Sequence, residues 1–359
     1  MPAALKELYD KKLIAHVSEL ILRDYSAFDP VAFTHAVFDA DWSDKELKQR
    51  MRHITVCLHE QLPQDYKKSI PILRSAAEKC NGFEYMFFQD YVECFGLDDF
   101  ETSIAALAHF TRYASSEFAV RAFILQDEKR MMKQMLRWAS SDDHHVRRLA
   151  SEGCRPRLPW AIALPAFKKN PEPILAILKT LMTDESEYVR RSVANNLNDI
   201  SKDNPQIVID WAKKWLGKNE NTDRLIKHAC RTLLKKGDQT TLALFGYAEV
   251  KHIEISRFKV MPEVVMGETL SFSFRLNSHQ QSLGKCRLEF AIDFIKANGS
   301  LTRKVFKISE SDHTEKEKRV DKSFSFKKIT TRKYYAGQHR LSIILNGVEQ
   351  KFKPFNLMT

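Results

Sequence analysis

The chain is 359 residues long, 43% hydrophobic and 29% charged, with a formal net charge of +11. That length suits two domains of unequal size. No stretch approaches the roughly 20 uninterrupted apolar residues of a membrane span, and the opening MPAALKELYDKKLI reads as an amphipathic helix rather than a secretory signal.

The six cysteines, Cys57, Cys80, Cys94, Cys154, Cys230 and Cys286, show no C-x-x-C spacing, so neither a disulfide framework nor a zinc site is expected. A cytoplasmic protein with reduced cysteines, no metal and no cofactor is the expectation. The charge is unevenly spread. From Lys251 onward there are 21 Lys and Arg against 11 Asp and Glu, net +10, whereas the rest of the chain holds 36 against 35. A basic module joined to a near-neutral one points to a polyanionic partner, because phosphate contacts supply most nonspecific nucleic-acid affinity.

In chain order, the first 245 residues carry helical spacing. Leu13, Val17, Leu20 and Ile21 mark one face, Leu47, Met51, Ile54 and Leu58 another, and Ile104, Leu107, Ala108 and Thr111 a third. Ser43 to Glu46 and Asp184 to Glu187 read as capping boxes. Val146-Arg-Arg-Leu-Ala150 recurs as Val189-Arg-Arg-Ser-Val-Ala194, each after an acidic turn, with a weaker copy at Leu225–Ala229. A repeat of about 43 residues matches the HEAT and armadillo period, so a solenoid of helix pairs is expected. Beyond Lys251 the period becomes two, in Leu270/Phe272/Phe274/Leu276 and Leu288/Phe290/Ile292/Phe294, with turns at Asn298-Gly299 and Asn346-Gly347. About seven short strands predict an immunoglobulin-like β-sandwich. The expected fold is therefore a two-domain α + β chain, with an α-solenoid of HEAT-like repeats over residues 1–247 and the sandwich over 248–359.

Three stretches carry candidate chemistry. In Ser115–Leu125 every residue from Phe118 is apolar except Arg121, so Glu117 and Arg121 read as the lone polar face of a buried helix; a structural ion pair and a functional site both fit. In the repeat helices Arg148, Glu152 and Arg155 form a stripe on the concave side, matched by Arg191, Asn195 and Asn198 in the next copy. Solvated helix-surface pairs explain that spacing equally well. Finally, Pro156 and Pro159 fix the segment after Gly153 and present Arg155, Arg157 and Trp160 at the edge between repeats. His144-His145 reads as a solvated pair, and there is no phosphate-cradling glycine loop, G-x-S-x-G elbow or H-E-x-x-H.

The run Ser115–Arg121, then His145–Gly153, then Arg155–Trp160, with Asp90-Tyr-Val-Glu93 and Gly96–Glu101 upstream, resembles the HEAT-like-repeat DNA alkylation repair glycosylases of the AlkC type. The likeness spans residues 1 to 245 and is most specific from 85 to 200; Ala122 departs from it, standing where proline is expected. The resemblance implies excision of cationic alkylated bases of the 3-methyladenine and 3-methylcytosine kind from double-stranded DNA. It implies a lesion cleaved on bent DNA against the concave face, without a deep base pocket; a monomer is the separate expectation. It also implies Glu117 and Glu152 as catalytic carboxylates, with Trp160, Arg121, Arg148, Arg155, Arg157, Arg191 and Asn195 at the lesion and DNA. A noncatalytic HEAT scaffold and a damage-binding protein are the competing readings.

Overall fold

The computed structural model describes residues 5–247, 250–329 and 332–359. Its helices are α1 (Lys11–Asp24), α2 (Pro30–Val37), α3 (Leu47–Gln61), α4 (Tyr66–Ala77), α5 (Phe87–Phe95), α6 (Phe100–Phe110), α7 (Val120–Gln126), α8 (Glu128–Trp138), α9 (His144–Gly153), α10 (Pro165–Lys169), α11 (Glu172–Leu181), α12 (Glu187–Ile200), α13 (Pro205–Trp215), α14 (Glu220–Ala229), α15 (Arg231–Lys236) and α16 (Gln239–Leu244). Eight strands follow: β1 (Ile253–Val260), β2 (Glu263–Val265), β3 (Thr269–Ser278), β4 (Gly284–Ile295), β5 (Leu301–His313), β6 (Glu317–Ser325), β7 (Gly337–Leu345) and β8 (Val348–Met358).

Two compact units result. One comprises Met1–Asn204 and Gly217–Ala229, the other Pro205–Leu216 and Cys230–Thr359. In the first, α9, α12 and α14 are the recurring helices of the sequence repeat, α9 lying against α12 and α12 against α14, with α8 and α11 behind them. Their apolar residues Val146, Leu149, Val189, Val193, Leu197, Leu225 and Ile226 are all buried. The paired arginines of the repeat divide the work. Arg147 and Arg190 both turn back on the preceding acidic turn, Arg147 donating to Ser141 O and Asp142 O and Arg190 to Asp184 O and Glu185 O. Each thus satisfies carbonyls left free before its helix. Arg147 also forks onto Asp184 of the next repeat at 2.7 and 3.1 Å, locking repeat to repeat. The second arginines, Arg148 and Arg191, are left for the other side.

Neither expected capping box forms. Residues Trp42–Asp44 make a 3-10 turn, α3 starts at Leu47, and the cap bond runs from the Glu46 N–H to Gln49 Oε1. At α12, Asp184 accepts from the Ser186 N–H and is drawn off by Arg147.

In the second unit the strands form a three-stranded sheet, β1-β3-β6, and a five-stranded sheet, β2-β8-β7-β4-β5, antiparallel except for β2 with β8. Leu270, Phe272, Phe274 and Leu276 face Leu288, Ile292, Leu341, Ile343 and Phe355 across the core. Asn346 and Gly347 both take positive φ, the two-residue turn the dipeptide predicts between β7 and β8. The expected alternation in β4 holds only for the apolar residues, since Glu289, Ala291 and Asp293 are buried as well. Asp293 is covered by Arg303 and Arg340, which pair with it at 3.4 and 3.2 Å, while the Glu289 end of β4 lies toward the β7–β8 turn. The unit includes α13, α15 and α16, and Gly237 of the α15–α16 turn meets Gly347 so closely that a Cβ on Gly347 would clash with Leu242 Cδ1. Glu289 then needs a partner, and Arg287 supplies it at 2.5 Å.

Candidate active site

Helix α9 begins at Asp143, whose carboxylate caps the His145 N–H, and stops at Cys154 because Pro156 removes the next donor. Along it Arg148 and Glu152 lie on one side, as their spacing predicts, and Arg155 joins them from just past the helix end. They are not a solvated stripe. Glu152 is only 5% exposed, and its Oε1 takes Arg155 Nη1 at 2.6 Å and Arg148 Nη2 at 3.5 Å while its Oε2 accepts the Ser192 hydroxyl at 2.6 Å. Arg155 reaches on to Asp199 at 2.9 Å, and Lys202 meets the other oxygen of Asp199 at 2.8 Å.

At the other end Arg148 pairs with Glu117 and donates to Ser115 Oγ at 2.5 Å. Ser115 in turn donates to Glu117 Oε2 at 2.6 Å. Five side chains therefore alternate in charge, Glu117, Arg148, Glu152, Arg155 and Asp199, across three segments of the solenoid. Burial works against the charge on Arg148, but Glu117 and then Glu152 more than offset it and hold its guanidinium above the ordinary range. Arg155 is raised in the same way by Glu152 and Asp199. Tyr188, whose ring lies 5.0 Å beneath the Arg148 guanidinium, is raised by burial while Arg148 pulls it back.

The two carboxylates differ in how firmly they are held. Both oxygens of Glu152 are engaged, whereas both bonds to Glu117 fall on Oε2, so among the described residues Oε1 of Glu117 carries no protein hydrogen bond. Glu117 also precedes α7, outside the helix that carries Arg121. The expected Glu117–Arg121 face is consequently absent. Arg121 points the opposite way, 1% exposed, donating to Gly153 O, Arg155 O and Ile162 O, and burial pushes its guanidinium down to about 10.

Trp160 is 61% exposed and has a φ of 63°, a conformation that a bulky residue holds only when its surroundings impose it. Phe83 meets the indole edge-on with centroids 6.1 Å apart, and Lys48 Nζ donates to Trp160 O at 3.1 Å. The remaining residues lie outside the charged chain. Arg157 forks onto Asp203 at 3.0 and 2.7 Å, Arg191 pairs with Glu187 one helical turn away at 2.8 Å, and Asn195 Oδ1 sits 3.1 Å from His228 Nε2.

Sequence reasoning missed Ser115, Tyr188, Ser192, Asp199 and Lys48. Asp199 had a signal, because Arg155 bonds it across 44 residues, close to the repeat period. Ser192 had a weaker one, lying on the neighbouring repeat 41 residues from Ser151, to which its hydroxyl also bonds at 2.7 Å. Lys48 had none, since only tertiary packing brings α3 to Trp160. Upstream, Asp90 and Glu93 converge on Arg52, and burial together with Asp90 lifts the Glu93 carboxyl above its usual range. Among the described residues no three His, Cys, Asp or Glu side chains group as metal ligands.

Residues 93–233 match the family described as DNA alkylation repair enzyme, and residues 254–359 match the C-terminal Ig-like domain of the protein YhaZ. The chain is 48% identical over 347 residues to the uncharacterised protein YhaZ of Bacillus subtilis (strain 168), covering 96% of this chain and 97% of the relative. It also superimposes on the Pseudomonas fluorescens alkylpurine DNA glycosylase AlkC, solved with DNA containing an abasic site analogue. That match has a TM-score of 0.95 and 36% identity, over 99% of this chain and all of the other. The chain belongs to the AlkC-type DNA alkylation repair family.

Proposed function

We propose that this protein is a DNA glycosylase that hydrolyses the N-glycosidic bond of cationic alkylated bases, of the 3-methyladenine and 3-methylcytosine kind, and leaves an abasic site. The observation that carries the reading is the convergence of Glu117 and Glu152, from separate segments, on the single guanidinium of Arg148. Two carboxylates so fixed are preorganised negative charge, the arrangement that favours a positive centre developing nearby. Ring alkylation has already made the base cationic. When the C1′–N bond breaks, its electron pair passes to the base, which departs neutral and needs no proton from the enzyme. Positive charge moves to the sugar, and water then adds at C1′ and gives up a proton.

Glu117 is the better suited to face the sugar and receive that proton through its unengaged Oε1. Glu152, held on both oxygens, fixes Arg148 and Arg155 around it. Trp160 offers its indole face to the cationic base. Arg148 and Arg155 hold carboxylates, while Arg157 and Arg191, in more exposed ion pairs, are suited to exchange a carboxylate for phosphate, with Asn195 on the same rung as Arg191. The protein acts as a monomer on duplex DNA in the cytoplasm, and the basic sandwich adds phosphate affinity. Duplex DNA carrying 3-methyladenine, incubated with excess protein and scored for released base, tests this. Release supports the glycosylase, lesion-selective binding without release would make it a damage sensor, and neither would leave a HEAT scaffold.

A further inference from the structure

We infer that Arg121 is a positioning residue that acts through Trp160, its buried guanidinium setting the segment that presents the indole. The inference rests on the glycosylase reading. One guanidinium ties both ends of the segment 155–162, Nη1 donating to Gly153 O and Arg155 O, each at 2.9 Å, and Nε to Ile162 O at 2.6 Å. Between these anchors lies Trp160, with its positive φ and exposed ring. Burying an arginine to hold backbone is costly compared with the glycine or asparagine that ordinarily ends a helix. Among the described residues no carboxylate bonds Arg121; its charge faces the carbonyl end of α9, where the helix dipole is negative.

The approach is enforced by Gly153. A Cβ there would lie 2.5 Å from Val120 Cγ2 and 2.8 Å from Met135 Cε, so a larger residue would press on α7 where Arg121 reaches the end of α9. The same clamp holds the Arg155 carbonyl while the Arg155 side chain bonds Glu152 and Asp199. Trp160 is therefore held from both ends of its segment, and a shift of about 1 Å at a positioning element is enough to cost about 10²-fold in rate.

The test uses the full chain with Arg121→Lys, which keeps the charge and cannot reach all three carbonyls, and Arg121→Gln, which keeps an amide donor. Single-turnover excision is expected to fall about 10- to 100-fold, with affinity for abasic-site DNA changing less than about 3-fold. In the double mutant with Trp160→Phe, the Arg121 substitution is expected to add less than about 3-fold, because both act through one group. Multiplicative losses would overturn the inference. A readout independent of activity is the fluorine resonance of 5-fluorotryptophan at Trp160, identified by its absence in Trp160→Phe. It is expected to be single and sharp in the parent and shifted or split in the Arg121 variants; an unchanged resonance would overturn the inference even if the parent excised nothing. Pro159→Gly, with Arg121 intact, gives the same answer without disturbing the clamp. A preserved resonance supports Arg121 as the anchor, and a split one shows that proline rigidity holds the segment instead.

Discussion

Glu117→Gln separates chemistry from architecture more cleanly than any other change in the charged chain. The amide keeps a carbonyl to accept from Ser115 and Arg148, and Arg148 retains Glu152 at 3.5 Å, so the packing is largely preserved. Weakening one charge-assisted bond costs about 1 kcal/mol, or about 2–4 °C in melting temperature for a unit of this size. The effect on the reaction is larger. A sugar cation about 5 Å from the carboxylate, at an effective dielectric of about 20, is stabilised by about 3 kcal/mol. At 1.36 kcal/mol per factor of ten that is about 10²-fold in excision, the usual consequence of removing one preorganised stabiliser. Glu152→Gln is expected to lose activity comparably and stability further, about 2–4 kcal/mol, because its oxygens hold Arg155, Arg148 and Ser192 together. Single-turnover excision and thermal melting, measured on one preparation, decide the matter. Excision by Glu117→Gln within about 3-fold of the parent, whatever the melting temperature, would rule out a catalytic role for the Glu117 carboxylate.

Gly153→Ala is expected to cost about 1–3 kcal/mol by driving Val120 and Met135 apart, seen as a lower midpoint in urea at unchanged slope; an unchanged midpoint would show that the helices yield freely. Acidification should destabilise the fold. His339 accepts the Ile295 N–H on Nδ1, a bond that requires the neutral ring, and burial lowers its pKa below 6.5; burial lowers His59 likewise. Folded pKa values below the unfolded one mean that stability is complete above about pH 6.5 and is lost as pH falls toward the folded values, so the melting temperature should drop between pH 7 and 5, and less steeply in His339→Gln. A flat profile would contradict this. On the sandwich, Lys322, Lys327 and Lys328 are exposed and make no ion pair among the described residues. Replacing all three by Ala should make the salt dependence of DNA binding shallower by about 0.9 for each phosphate no longer neutralised, and an unchanged slope would mean this surface does not meet DNA.

Periodicity alone disclosed both architectures, because a repeated Val-Arg-Arg and a switch from helical to alternating spacing are properties of the chain itself. Stripes were legible for the same reason: Arg148 and Glu152 do share a side of α9, and Arg155, just past its end, bonds Glu152. What spacing did not convey is where a side chain ends. Arg121 sits in an apolar helix like a lone functional charge, yet its partners are carbonyls 32 to 41 residues away. Asp184 looked like a cap until Arg147 of the preceding repeat claimed it. Trp160 could be placed at an edge from its prolines, but its left-handed backbone depends on packing from α3 and α7 that no local pattern encodes.

Glycosylase activity is tested by release of free base from duplex DNA carrying 3-methyladenine, by the purified 359-residue chain in single turnover with EDTA present. The free base is expected to appear with time, with one abasic site formed per base released, undiminished by EDTA. Tight binding of the damaged duplex with no base released would contradict it.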